Sequence, residues 1–215
     1  MKSFVVIGLG RFGRSVARSL TELNYEVLAI DEDEELVQSI AGTVTHAVTG
    51  DCTDENVLKS LGIRNFDVAI VAIGQDMSTS IMVTLLLKEL GVKYILAKAQ
   101  NDLHSKVLER LGADRVVFPE RDMGVRIAYS LTSTTILDYI ELSLEHSIME
   151  IVVPRNWGGK TIMELNIRQK YNVTIAAVKE KQGNKINVSP SADLVLKDDD
   201  ILLVIGETTN LTKLK

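Results

Sequence analysis

Six residues near the start of the chain, Gly8-Leu9-Gly10-Arg11-Phe12-Gly13, have the types and spacing of a loop that holds the phosphates of an adenine nucleotide. They follow the apolar run Phe4-Val5-Val6-Ile7 and open a segment of helical pattern, the setting in which this glycine spacing has meaning. Gly8 permits a tight turn, Gly10 lets the backbone approach a pyrophosphate, and Gly13 lets helix and strand pack closely. The helix start then offers unpaired N–H groups and a partial positive charge to the phosphates. Asp31 closes the next apolar run, about 20 residues on, where an acid meets ribose hydroxyls and repels a 2′-phosphate. That argues against NADP.

Arg11 is the unusual member, because the helix dipole disfavours a cation in the first turn. An anionic ligand offsets that cost, so Arg11 is read either as a contact to terminal phosphates or as a solvated surface arginine. Gly50-Asp51-Cys52-Thr53-Asp54 follows the third apolar run and is placed beside the adenine, although Asp51 also suits a helix cap. Cys52 has no His or second Cys beside it and reads most simply as a small buried hydrophobe. Ala72-Ile73-Gly74 follows the fourth run and lines the same crevice, with Gln75 next in line; Asp33, just beyond Asp31, is a further candidate contact.

Chemistry beyond binding is hard to place. A dehydrogenase needs a proton-handling group and a substrate pocket near its nicotinamide. His46 falls inside an apolar run and reads as a packed core residue, and His146 lies beyond the sheet. His104, at a helix start, is placed to face a nucleotide, but no substrate domain of useful size stands opposite it. Metal-ligand spacings, a nucleophile elbow and a Walker loop are all missing from the sequence.

The elements that must position these residues alternate from 4 to 118. Apolar runs at 4–7, 26–30, 45–49, 68–73, 94–97 and 116–118 are separated by helical patterns at 11–23, 34–41, 54–61, 77–90 and 103–111. Strands apolar on both faces, separated by helices, predict a doubly wound α/β parallel sheet of Rossmann type. Residues 120–144 read as a long helix, whole or broken into two pieces at Ser133 or Thr134, a connector or an arm that packs on another subunit. From 147 the alternation is lost: strands are expected at 148–153, 174–179, 185–188, 194–196 and 201–205, and a short helix at 161–171. The turn signal Gln182-Gly183-Asn184 predicts a hairpin. The organisation expected is a nucleotide-binding domain at 1–120, a helical connector at 121–144 and a small α+β domain at 145–215. A domain of roughly 70 residues barely sustains folding alone, so it is expected to pair with a copy of itself.

The 215 residues carry a net charge of −5, with 46% hydrophobic and 25% charged residues, ordinary for a globular protein. Lys and Arg are scattered among acids, so direct nucleic-acid binding is disfavoured. The single cysteine suits a reducing compartment, and Met1-Lys2-Ser3 runs straight into a strand without a leader. The expected location is cytoplasmic, with any membrane role peripheral.

The ordered set Val6 to Gly13, Gly62-Ile63-Arg64-Asn65-Phe66-Asp67, Val71-Ala72-Ile73-Gly74, Leu85 to Leu90, Lys98-Ala99-Gln100-Asn101, Gly112-Ala113-Asp114-Arg115 and Pro119 to Gly124 resembles one family. It is similar to the cytosolic regulatory subunits of Ktr-type bacterial potassium uptake systems, built from an RCK (TrkA-N) and a TrkA-C domain. The resemblance implies a homodimer assembling into an octameric ring beneath a membrane potassium channel subunit. It implies that ATP and ADP favour different ring shapes and that NAD or NADH occupies the same cleft. Arg11 matches the arginine that approaches the terminal phosphate. Glu120 matches the acid that helps hold Mg or Na there, with a neighbouring subunit contributing, and Lys98 and His104 match further nucleotide-side positions. For the second domain the resemblance implies cyclic di-AMP at the two-fold interface, with Arg168 on a phosphate and Ile162, Ile175, Ala176 and Pro190 near the purines. The alternative expectation is an NAD-dependent oxidoreductase, and a redox-sensing DNA regulator lacks its basic helix.

Overall fold

A computed structural model describes residues 2–180 and 185–214. The chain divides into two compact units, Met1–Pro119 and Glu120–Lys215.

The first unit is a six-stranded parallel sheet in the order β3-β2-β1-β4-β5-β6. Its strands are β1 (Ser3–Ile7), β2 (Glu26–Asp31), β3 (His46–Thr49), β4 (Val68–Val71), β5 (Ile95–Lys98) and β6 (Arg115–Val117). Between them run α1 (Arg11–Glu22), α2 (Glu34–Ala41), α3 (Glu55–Ser60), α4 (Met77–Glu89) and α5 (Asp102–Leu111). The two-residue period of β1 divides its side chains between two layers. Val5 and Ile7 join Leu58, Val83, Leu87 and Leu108 from α3, α4 and α5 in one core. Val6 joins Ala17, Val37 and Ile40 from α1 and α2 in the other. The sheet is therefore covered on both faces, as the apolar runs demand. Strand order reverses at β1 and β4, and the carboxyl ends of these two strands open a crevice between the halves.

His46 departs from expectation. It is the first residue of the edge strand β3 and is exposed, because an edge strand leaves one flank to solvent.

The second unit begins with α6 (Pro119–Leu131); the chain breaks near Ser133, as one reading of 120–144 allowed, but the part beyond it is a strand and not a second helix. The helix ends at Leu131, and β7 (Ile136–Glu141) follows, paired antiparallel with β8 (His146–Val152). The Ser133 hydroxyl accepts the Thr135 N–H at 3.2 Å and pairs with its hydroxyl at 2.7 Å. Such local side-chain bonds compete with the helix ladder, and the β-branched residues after them favour a strand. The other strands are β9 (Val173–Lys179), β10 (Ile186–Val188) and β11 (Ile201–Glu207), giving an antiparallel sheet ordered β10-β9-β11-β8-β7.

Residues 161–171 form two short helices, α7 (Ile162–Leu165) and α8 (Ile167–Tyr171), split by the left-handed Asn166 at φ 46°. The strand expected at 194–196 reduces to one isolated bridge, Thr161 to Val195. A last helix, α9 (Thr208–Leu211), follows β11 where the sequence pattern gives no helix signal. The hairpin turn expected at Gln182-Gly183-Asn184 lies outside the described residues. Met149, Ile151, Leu202 and Val204 from the sheet share one core with Trp157, Leu165, Ile167 and Leu211. No helix among the described residues is long and apolar enough to cross a membrane.

Candidate functional site, a nucleotide cleft

The loop between β1 and α1 is folded onto itself around two glycines. Gly8 stands at φ +94°, a conformation L side chains rarely adopt. A Cβ on Gly13 would lie 1.8 Å from the Gly8 carbonyl oxygen, so the first turn of α1 rests directly on the loop. Gly10 is different. Its φ is −61°, open to any residue, and a Cβ there would meet no protein atom within 4 Å. No close approach within the protein demands glycine at this N-cap, and the open space beside its backbone leaves room for a phosphate.

The helix starts of the first unit sharpen the point. Asp33 caps α2, accepting from Glu35 N–H at 2.9 Å; Asp54 caps α3, accepting from Asn56 N–H; Asp76 caps α4, accepting from Ser78 N–H. Asn101 caps α5 by accepting the His104 N–H at 2.9 Å. Only α1 in this set has no side-chain cap and no acid in its first turn. Its N–H groups are left for an external acceptor. Arg11, exposed at the first helical position, adds a full positive charge to the same end.

Asp31 lies at the end of β2 and holds the loop from the side. Its Oδ2 accepts the Leu9 N–H at 2.5 Å and its Oδ1 accepts the Asp33 N–H at 3.0 Å. Each carboxylate oxygen keeps a second lone pair, so these bonds leave capacity for ribose hydroxyls. Asp33 is a helix cap first. Asp51 is not the cap of α3; it binds the Thr53 N–H at 2.8 Å and hydroxyl at 2.6 Å, which hold its carboxyl below the usual range. Cys52 is buried in the core beneath α3, and burial, with Asp51, Asp31 and Glu32 nearby, pushes its thiol up to about 12. It is a packed hydrophobe rather than a contact.

On the far wall, Ala72 is buried, Ile73 is half-buried, and Gly74 and Gln75 emerge toward solvent. Lys98, at the end of β5, reaches across to this wall, with Nζ 3.2 Å from where a Gly74 Cβ would stand. The same ammonium lies 6.0 Å from the centroid of the half-buried Phe12 ring. His104 corrects its expectation. The ring is fully buried, its Nδ1 accepts the Gln100 N–H at 3.3 Å, and burial lowers its pKa, so the neutral imidazole supports the loop from within. The Gln100 side chain in turn donates to the Gly74 carbonyl at 2.7 Å. Sequence reasoning missed Gln100 as a tie between the two loops; only its position two residues past the end of β5 hinted at it.

The remaining candidates belong to the second unit. Glu120 is exposed in the first turn of α6. Among the described residues no three His, Cys, Asp or Glu side chains gather to hold a metal ion. Arg168 is exposed on α8, and Ile162, Ile175, Ala176 and Pro190 are half-buried.

Comparison with known proteins decides what this cleft belongs to. Residues 4–119 match the TrkA-N domain and residues 148–215 the TrkA-C domain. Over 99% of its length the chain is 52% identical to a Ktr system potassium uptake protein C of Bacillus subtilis, covering 95% of that protein. The chain belongs to the Ktr potassium-uptake family. Ktr system potassium uptake protein A of the same organism is 47% identical over the same shares of both chains. The Ktr-type architecture also resembles a solved structure described as the GsuK channel bound to NAD, with TM-score 0.70 at 22% identity. That match covers 99% of this chain but spans only 38% of the channel's, and it speaks for the fold alone.

Proposed function

We propose that this Ktr-family chain is a nucleotide-sensing regulatory subunit, reading ATP against ADP at the glycine loop and controlling potassium passage through a partner membrane channel. The observation that carries the reading is the uncapped start of α1, with an open Gly10 and the Arg11 cation, in a unit where α2, α3, α4 and α5 are capped. NAD or NADH fits the same adenosine half beside Asp31. Oxidoreductase chemistry is not favoured, because the relatives this chain matches over nearly its whole length are potassium-uptake proteins.

Assembly follows from an unburied helix. No residue of α6 is buried, and Met123, Ile127 and Leu131, at i, i+4 and i+8, are 49%, 50% and 81% exposed. Such a stripe calls for a partner, and a second copy of this chain supplies the matching apolar face. Homodimers joined into an octameric ring put eight sites in one equilibrium. Inverting a 1:99 balance takes about 5.5 kcal/mol of differential binding, only ~0.7 kcal/mol per site over eight. One extra phosphate contact by Arg11 exceeds that.

Glu120 offers a carboxylate to a Mg or Na ion, with a neighbouring subunit contributing further ligands. In the second unit, Arg168 offers a guanidinium to a phosphate of cyclic di-AMP, with Ile162, Ile175, Ala176 and Pro190 as the surface for its purines.

The test is Arg11→Ala, titrated with ATP and ADP. ADP affinity should stay near wild type while the ATP preference disappears; equal loss of both contradicts the role assigned to Arg11.

A further inference from the structure

One titratable side chain of the first unit is fully buried and has no surface to offer a ligand. His104 lies in the first turn of α5, where the Asn101 cap fixes its backbone N–H and the ring is sealed from solvent. Its Nδ1 accepts the Gln100 N–H at 3.3 Å, so the proton of the neutral ring sits on Nε2. That second nitrogen is buried and has no hydrogen-bond partner among the described residues. Nδ1 alone ties the ring to its surroundings.

What Nδ1 holds reaches the next loop. Gln100 follows β5, and its side chain donates to the Gly74 carbonyl, after β4, at 2.7 Å. One imidazole nitrogen, one backbone amide and one side-chain amide therefore join two loops at the carboxyl ends of neighbouring strands, where a Rossmann sheet takes its ligand. We infer that His104 is a proton-operated latch on this wall: the neutral ring fastens the two loops, and a proton on Nδ1 releases them and weakens nucleotide binding. The latch acts on affinity only if the glycine loop holds a nucleotide, and to that extent it rests on that reading.

The chemistry runs in one direction. A protonated Nδ1 is a donor, and it turns a positive N–H toward the Gln100 N–H, so attraction becomes repulsion. The ring then also carries a full charge in a buried place. Around it, α4 carries Asp76, Lys88 and Glu89, β5 ends in Lys98, α5 carries Asp102, Lys106, Glu109 and Arg110, and β6 carries Arg115. None of these charges contributes to the lowered pKa of the ring, which burial alone causes. With no partner charge to hold the proton, the imidazolium is relieved only by moving out, and Gln100 moves with it. The latch is therefore closed above the ordinary histidine value of 6.5 and opens below it.

The test is the pH dependence of NAD binding by the full chain, since the NAD pyrophosphate keeps its charge from pH 8 to 5. Wild-type affinity should be level down to pH 6.5 and then fall, by about tenfold at pH 5. His104→Asn sets an amide oxygen near the place of Nδ1 and takes no proton, so its profile should be flat. Gln100→Ala cuts the link to Gly74, and its affinity should be lower at pH 8 and level with pH. Exchange of the Gln100 amide, corrected for its intrinsic pH dependence, should quicken below pH 6.5 in wild type alone. A flat wild-type profile, or a fall that persists unchanged in His104→Asn, overturns the latch. Should His104→Asn not fold, a fall in Gln100→Ala as steep as that of wild type overturns it instead. A wild type that binds neither NAD nor ATP at pH 8 overturns the glycine-loop reading. Gln100 exchange then decides the latch by itself, and constant protection across the range overturns it as well.

Discussion

The carboxylate of Asp31 and the backbone of Leu9 are joined by a hydrogen bond of 2.5 Å, which ties the end of β2 to the middle of the glycine loop. The acid expected to meet a ribose is therefore also a structural brace. Its other oxygen accepts the Asp33 N–H, so one side chain sets the path of two consecutive loops.

Replacing Asp31 with Ala should lower stability by about 1.5–3 kcal/mol, the usual range for a hydrogen bond to a charged group. It should also weaken ATP and ADP together, because the loop they share loses its support. Urea denaturation gives the first effect and titration the second. An unchanged urea midpoint would mean the carboxylate serves the ligand alone.

Much of this cleft was legible in the sequence. The glycine spacing, the apolar strand before it and Asp31 after it depend on local backbone rules that one stretch of chain satisfies by itself. Other features required tertiary contacts. His104 looked like a cleft residue because it opens α5, but burial is decided by what packs over a helix, not by its first turn. The strand at 136–141, where a helix is expected, has the same origin: Leu137 and Ile140 are spaced three apart, which suits a helix. Only the pairing of β7 with β8 makes it a strand. Asp33 and Asp51 were sorted by hydrogen bonds that spacing alone leaves ambiguous.

Gly13→Ala should cost about 2–4 kcal/mol, since a Cβ 1.8 Å from the Gly8 carbonyl oxygen forces the backbone apart. Thermal unfolding should show a drop of several degrees without any ligand. A variant as stable as wild type would refute the close approach of helix and loop.

Cys52 should resist alkylation. With its thiol buried and its pKa pushed up to about 12, iodoacetamide at pH 8 should label it only as the fold opens. Labelling should therefore follow the urea unfolding curve. Fast labelling of the native protein would place the thiol outside the core.

Arg126 and Asp138 form a two-pronged ion pair between α6 and β7, through Nε to Oδ1 at 2.5 Å and a second short contact from Nη2 to Oδ2. The guanidinium holds the Asp138 carboxyl below its usual range. A carboxylate so held stabilises the native state fully above about pH 4, and that contribution disappears as pH falls through the lower native value. Arg126→Met should therefore lose stability at neutral pH and show a shallower decline in melting temperature from pH 5 to 3. Parallel melting curves for the two proteins would deny the coupling.

The central claim, that the β1–α1 loop exists to hold nucleotide phosphates, is tested most directly at Gly10. A Cβ there touches nothing in the protein, so Gly10→Ala should cost no more than about 1 kcal/mol, the penalty of alanine at an N-cap. ATP titrated into this variant should bind at least about tenfold more weakly, because the added methyl takes the place of a phosphate oxygen. A stable Gly10→Ala protein that binds ATP as wild type does would contradict the account.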